Sequence, residues 1–268
     1  MITVKMLPII FSTGPVTIYS FGFLLAVGVF LESFVIWRRL RDLGFKEEKI
    51  LDFLILNLLL GLVISRLIFI LENWPSFGFH LTRWFLFVRF PGFSAAGWLL
   101  GILLALWRFV REEKWNFWRV VDEVTFGFLP FLILVQTGSF LDGSGFGRST
   151  NMPWGIYFPG ILLKRHPVSL FFALALLFVW FFLLKIERHW RTWEWYKDKE
   201  SGFIFLAALG SIFLINLPLA FLKESKIYFY WAEIILTLIG LMIIGSLFYL
   251  RSGRSFKKIY AKKEKETS

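Results

Sequence analysis

Long apolar tracts, each closed by a short polar stretch, set the pattern of this chain. Seven of them run over 16–37, 50–72, 93–109, 122–142, 167–184, 203–222 and 228–249. All but the third hold close to the ~20 residues that an α-helix needs to cross roughly 30 Å of hydrocarbon. The third is short, as a tilted helix or one flanked by interfacial backbone would be. The pattern predicts an all-α integral membrane protein with seven transmembrane helices. The first tract is too long for a signal-peptide core and has no basic leader, so it is expected to open the bundle. One membrane domain is expected over 1–250, and a basic cytoplasmic tail over 251–268.

Composition agrees with this class. Of 268 residues, 57% are hydrophobic and 20% aromatic, well above the roughly 45–50% apolar usage of soluble domains. A formal charge of +11 would suggest nucleic acid in a soluble protein. Here the loops 38–49, 108–121 and 185–202 and the segment from 250 onward hold 21 of the 30 Lys and Arg, against 8 on the other side and Arg66 inside a tract. That alternation follows the positive-inside rule. It places the N-terminus outside and the C-terminus in the cytoplasm, and no nucleic-acid partner is expected. Trp37, Trp107, Trp115, Trp118, Trp190, Trp193 and Trp195 fall at the inner boundary, and Trp74, Trp84, Trp154 and Trp231 at the outer one, where indoles concentrate.

Other chemistry is thinly represented. The chain has no cysteine, hence no disulfide and no thiolate ligand, and its histidines (His80, His166, His189) lack a metal-ligand spacing. No Walker sequence, dinucleotide-binding glycine fingerprint or internal repeat occurs. No metal and no cofactor are expected.

The stretch GSFLDGSGFGRSTNMPWGIYFPG (138–160) departs from the apolar pattern. Gln136, Ser139 and Gly143 are spaced i, i+3, i+7 and share one helical face that is polar or small. Irregular backbone at membrane depth is tolerated only where protein or water satisfies its amides, so this face is expected to line a cavity. Close helix packing is an equal reading for Gly138 and Gly143. Arg148 and the loop amides favour an anion site. Arg66 lies within the second tract, where a charge costs at least about 2.5 kcal/mol on insertion scales; it is a functional candidate or a snorkelling side chain. The segments KRHP (164–167) and GFSAAGW (92–98), with Asn216 and Lys223, are expected at the same outer level, so that five segments converge there. Glu32 reads as a packing or snorkelling residue.

GSFLDGSGFGRSTNMPWGIYF followed by RHPVSL resembles the prolipoprotein diacylglyceryl transferase family. Its signature reads R-x-G-N-F-x-N-G-E-x-x-G-R-x-T, then P-W-G, then R-H-P-x-Q-L-Y-E. Gly138, Phe140, Gly143, Gly147, Arg148, Thr150, Pro153, Trp154, Gly155, Arg165, His166 and Pro167 match as they stand. SRL (65–67) is similar to the family's A-R-L, and Asp122 to the acidic residue that opens its fourth helix. The departures are Gln136 for arginine, Ser139 and Asp142 for asparagine, Ser144 for glutamate, and Ser169, Phe171 and Phe172 for the Q, Y and E after RHP. Phe21 stands where a tyrosine is usual, and Ala96 for a histidine or tyrosine. In the sixth helix the R-F-x-x-E-F-x-R pattern is met by NLPLAFLK (216–223), with only Lys223 basic.

The resemblance implies transfer of diacylglyceryl from phosphatidylglycerol to the thiol of a lipobox cysteine in a secreted precursor. Glycerol phosphate leaves and a thioether forms at the outer face of the bacterial cytoplasmic membrane. It implies substrate and phosphate binding by Arg66, Arg148 and Arg165 and by the glycines Gly138, Gly143 and Gly147, with Lys223 as helper. It gives His166 the part of base, and Gln136 and Ser139 that of hydrogen-bond donors, which lack the bidentate charge of an arginine. The nucleophile belongs to the substrate, so the missing cysteine is no objection. A weak or inactive relative that binds phospholipid or lipoprotein precursors is the alternative, and a transporter or scaffold a third.

Overall fold

The computed structural model describes residues 7–13, 16–86, 89–90, 92–189, 202–224 and 227–251. Two strands, β1 (Ile9–Thr13) and β2 (Val16–Tyr19), form an antiparallel hairpin. The helices that follow are α1 (Ser20–Asp42), α2 (Glu47–Glu72), the single turns α3 (Trp74–Phe77) and α4 (Leu81–Phe85), α5 (Ala95–Glu113), α6 (Phe117–Asp142), α7 (Val168–His189), α8 (Phe203–Leu222) and α9 (Ile227–Arg251). The basic tail expected over 251–268 lies outside the described residues, except Arg251 at the end of α9.

Six helices (α1, α2, α6, α7, α8 and α9 from Tyr230) are long and apolar enough to span a bilayer. Large side chains such as Phe30, Phe178 and Met242 on these helices are more than 70% exposed. In water such surface costs about 25 cal/mol per Å²; against lipid tails it costs nothing. The chain is therefore a multi-pass, mostly helical membrane protein.

Two tracts differ from expectation. The first gives its leading residues, 16–19, to β2, because β-branched Val16, Thr17 and Ile18 suit a strand. The helix starts only at Ser20, whose amide donates to the Pro8 carbonyl at 3.0 Å and whose hydroxyl donates to that of Leu7. The all-α membrane class holds, with a short N-terminal hairpin ahead of the helices. The third tract forms the 19-residue α5, but its last turns carry Arg108, Arg111, Glu112 and Glu113. Its apolar part, 95–107, reaches only ~20 Å at about 1.5 Å per residue, short of a full crossing by composition alone.

By backbone contacts the chain divides into two compact units, Ser33–Val124 and Met1–Glu32 with Thr125–Ser268. In the Ser33–Val124 unit, α2 and α5 pack through small residues. A Cβ on Gly97 would lie 2.5 Å from the Ser65 Cα, and one on Gly101 2.7 Å from the Gly61 Cα, a small-xxx-small contact on both helices. Phe45 stacks on Trp115 with ring centroids 3.5 Å apart, and Arg39 pairs with Glu123 at 2.6 Å.

In the other unit, α1 and α6 approach at Gly28, where a Cβ would sit 3.2 Å from the Phe131 ring, and at Gly138, where it would sit 3.3 Å from the Phe21 Cα. At the end of α6, Phe140 packs with Phe158 in a small buried core flanked by Phe146 and Ile156.

Candidate active site

The site begins where α6 stops. Gly143 has φ +81 and donates its amide to the Phe140 carbonyl at 3.1 Å. This left-handed conformation ends a helix at little cost only for glycine. The Ser139 carbonyl takes the amides of both Ser144 and Gly145 at 3.1 Å. The chain then runs close beneath α8. A Cβ on Gly147 would lie 2.1 Å from the Leu222 carbonyl oxygen, so only glycine fits.

The loop closes on itself as a small ladder. Thr150 donates to Lys164 at 2.9 Å and His166 to Arg148 at 3.1 Å; on the other side of the same segment, Ile156 and Arg165 exchange both amide bonds at 3.0 and 2.9 Å. Ser149, Arg165 and Ile156 are thereby opposed across three extended segments. The loop amides are largely committed to this ladder: Gly147 donates to the His166 carbonyl at 2.8 Å and Arg148 to that of Leu222 at 2.7 Å. The glycines Gly138, Gly143 and Gly147 thus pack closely or turn the chain here.

Side chains surround a cavity of about 310 Å³ lined by Gln136 of α6, Ser169 and Phe172 of α7, Asn216 of α8, and Lys223 and Glu224 just after it. Apolar Phe146, Val168, Phe172 and Leu219 share the lining with these polar groups. The Lys223 ammonium bonds the Asn216 amide oxygen at 3.4 Å and pairs with Glu233 of α9. Arg165 pairs with Glu224, donates to the Gly147 carbonyl at 3.2 Å and lies over the Phe146 ring at 5.2 Å; its Nε is buried without an acceptor. Arg148 is exposed, with its Nε on the Lys223 carbonyl at 3.0 Å and its guanidinium 5.4 Å from the Tyr230 ring centroid. A cation on the last carbonyls of α8 also complements that helix's dipole.

His166 is buried, and its Nδ1 lies 3.2 Å from the indole nitrogen of Trp154. An indole N–H can only donate, so Nδ1 accepts and the ring is neutral with its proton on Nε2. In this arrangement Nδ1 is not open to a substrate proton. Ser139 is half-buried and is not among the cavity's lining residues.

Arg66 belongs to the Ser33–Val124 unit. Its guanidinium donates to three backbone carbonyls, of Trp84 at 3.1 Å, Gly92 at 2.9 Å and Arg83 at 3.2 Å, and lies over the rings of Phe77 and Phe69 at 5.2 and 5.7 Å. Its geometry is that of a clamp on the segment between α3 and α5 rather than a snorkelling cation. Sequence reasoning missed Glu224, Glu233 and the Trp154 contact. Glu233 did carry a signal, since an ionisable residue inside an apolar tract is a functional candidate.

Together these features define a multi-pass membrane protein whose ion-paired polar cavity opens among the ends of apolar helices. A family model for prolipoprotein diacylglyceryl transferase matches residues 8–250. Similar proteins include the phosphatidylglycerol–prolipoprotein diacylglyceryl transferases of Tolumonas auensis, 28% identical over 82% of this chain and 83% of that protein, and of Bacteroides fragilis, 24% identical over 83% of each. The one from Clostridioides difficile is 29% identical over 60% of this chain, an alignment that spans 64% of its own length. The chain belongs to the prolipoprotein diacylglyceryl transferase family.

Proposed function

We propose that this chain transfers the diacylglyceryl group of phosphatidylglycerol to the cysteine thiol of a lipobox-bearing precursor at the outer face of the bacterial cytoplasmic membrane. In this reading α5 is the short seventh crossing, the N-terminus is outside and the C-terminus is cytoplasmic. Sulfur bonds to the glycerol carbon that carries the phosphate. The C–O bond breaks with its electron pair on the phosphate oxygen, and glycerol phosphate leaves while the thiol proton passes to water.

The observation that carries the reading is the cavity itself. Lys223 lines it and Arg165 pairs with its lining residue Glu224, so that two cations are at hand to stabilise the charge that develops on the leaving phosphate, and Arg148 adds an exposed guanidinium nearby on the same loop. Gln136 and Asn216 offer amide donors, and the apolar lining residues suit the start of an acyl chain. The buried, unsatisfied Nε of Arg165 is a donor in want of an acceptor. His166, with Nδ1 accepting from Trp154, contributes a donor at Nε2.

The test is direct. Purified protein with phosphatidylglycerol and a lipobox peptide should add one diacylglyceryl mass to the peptide and none to its Cys→Ser counterpart. Lipid binding with no adduct would instead favour the binding relative.

A further inference from the structure

We propose that the open edge of the loop ladder at Ser149 is the docking strand for the acceptor peptide, which adds to it by main-chain hydrogen bonds a few residues past its cysteine. The proposal rests on the transferase reading above and names the surface that holds that reaction's second substrate.

The ladder leaves one edge unpaired. Ser149 and Arg165 are opposed in antiparallel fashion, with Thr150 donating to Lys164 and His166 to Arg148 on either side. In such a pair the amide and carbonyl of each residue point away from the other. Arg165 uses its own on Ile156. Ser149 is exposed, and among the described residues nothing bonds its amide or its carbonyl. An unpaired strand edge is a template for another strand, and an extended peptide added there takes its affinity from main-chain bonds and its specificity from alternate side chains.

Ser149 also borders a second cavity, of about 540 Å³, which it shares with Asn151, Tyr157, Leu162, Leu163 and Lys164. Leu162 and Leu163 are 95% and 61% exposed. The Lys164 ammonium lies 5.7 Å from the Tyr157 ring centroid, and among the described residues no carboxylate pairs with it. The surface thus offers a backbone donor and acceptor, two apolar side chains and a free cation. Acyl chains would cover the leucines but leave the Ser149 backbone unmet. A peptide strand satisfies all three.

Position favours the same occupant. Phe146 lines the active-site cavity and Ser149 stands three residues on, so the chain between them spans at most ~10 Å at about 3.3 Å per residue. A precursor's apolar signal segment occupies the membrane, and its chain emerges past the cysteine. With the thiol at the cavity, an extended peptide brings roughly its third to fifth following residue to Ser149. An apolar side chain in that stretch covers Leu162 and Leu163, and a carboxylate there pairs with Lys164.

The experiment uses the full chain in detergent and a fluorescent lipobox peptide whose cysteine is replaced by serine, so that anisotropy reads binding without transfer. The amides of the residues that follow are N-methylated one at a time. One position among roughly the third to fifth should weaken binding about tenfold, the loss of one hydrogen bond, while its two neighbours stay within about twofold. Leu162→Ser with Leu163→Ser should weaken the same peptide about tenfold through lost apolar contact. Binding of phosphatidylglycerol by that double variant, read by native mass spectrometry, should be unchanged. An aspartate in the docked stretch should bind up to about fivefold tighter than a lysine, as exposed ion pairs allow, and Lys164→Glu should reverse that order. Methylation that acts equally at every position, or peptide affinity untouched by the leucine pair, overturns the proposal and gives the leucines to lipid, even where a cysteine peptide still forms the adduct. Binding with the one-position signature, but no adduct from a cysteine peptide and phosphatidylglycerol, would overturn the transferase reading and leave the docking edge standing.

Discussion

Trp154 and His166, twelve residues apart, are joined by a hydrogen bond in which the indole N–H donates to Nδ1 at 3.2 Å. The loop ladder brings them together: His166 is held by its amide on the Arg148 carbonyl, and Gly155, next to Trp154, turns back on Met152 at 3.0 Å. The bond takes up Nδ1 and leaves Nε2–H as the ring's donor.

This has a measurable outcome. In a chain whose other histidines, His80 and His189, are replaced, ¹⁵N spectra of His166 should show an unprotonated Nδ1, and Trp154→Phe should admit the second tautomer. Because the glutamine amide can imitate an Nε2–H donor but not a base, His166→Gln should keep transfer within about tenfold of wild type, while His166→Ala should lose more. Equal losses in the two variants would return the histidine to the role of base.

Arg66 makes a prediction about stability instead. Hydrogen bonds to a charged group contribute about 1.5–3 kcal/mol each, and Arg66 makes three to carbonyls. Arg66→Gln should lower the unfolding temperature in detergent by an amount equivalent to about 3 kcal/mol or more. Arg66→Lys should not rescue it, because an ammonium lacks the planar fork that reaches three acceptors. A stable variant that binds phosphatidylglycerol tenfold more weakly would show instead that Arg66 holds lipid.

The glycines separate packing from openness. Gly147→Ala places a methyl 2.1 Å from the Leu222 oxygen and 2.6 Å from Val168 Cγ2, and overpacking of this kind costs about 1–3 kcal/mol or more. Gly22→Ala meets nothing within 4 Å and, in the first turns of α1, should be neutral or slightly stabilising. Thermal unfolding of the two variants side by side checks the contrast.

Much of this arrangement was legible from the sequence, and the failures have physical causes. The tract 203–222 coincides with α8, and Gln136, Asn216 and Lys223, singled out by polarity in apolar surroundings, line one cavity. The hairpin was hidden because Val16 and Ile18 extend an apolar tract whichever backbone they adopt, and hydropathy carries no information on strand against helix over four residues. Arg66 stood out as a charge inside an apolar tract, but spacing along the chain does not reveal that its partners are carbonyls of the 83–92 segment. Glu224 was unreadable for a similar reason, since its pairing with Arg165 bridges 59 residues. Trp154 was placed by the aromatic-belt rule, which says nothing about where its N–H points.

Orientation is tested by labelling. The chain has no native cysteine, so single cysteines at 78 or 151 should react with a membrane-impermeant thiol reagent in intact cells, and one at 46 should not. The reverse pattern would turn the protein over and place the cavity on the wrong side for a secreted precursor.

The account stands most directly on the rate at which a lipobox peptide gains diacylglyceryl from phosphatidylglycerol, read by mass in wild type, Lys223→Gln and Gln136→Arg. Wild-type protein should form the thioether. Lys223→Gln should slow it at least about tenfold, because removing one donor aimed at developing charge costs roughly 2.7 kcal/mol or more, and Gln136→Arg, which adds a cation to the cavity wall, should speed it. No adduct from wild type and none from Gln136→Arg would contradict the account, as would an adduct formed at full rate without the Lys223 charge.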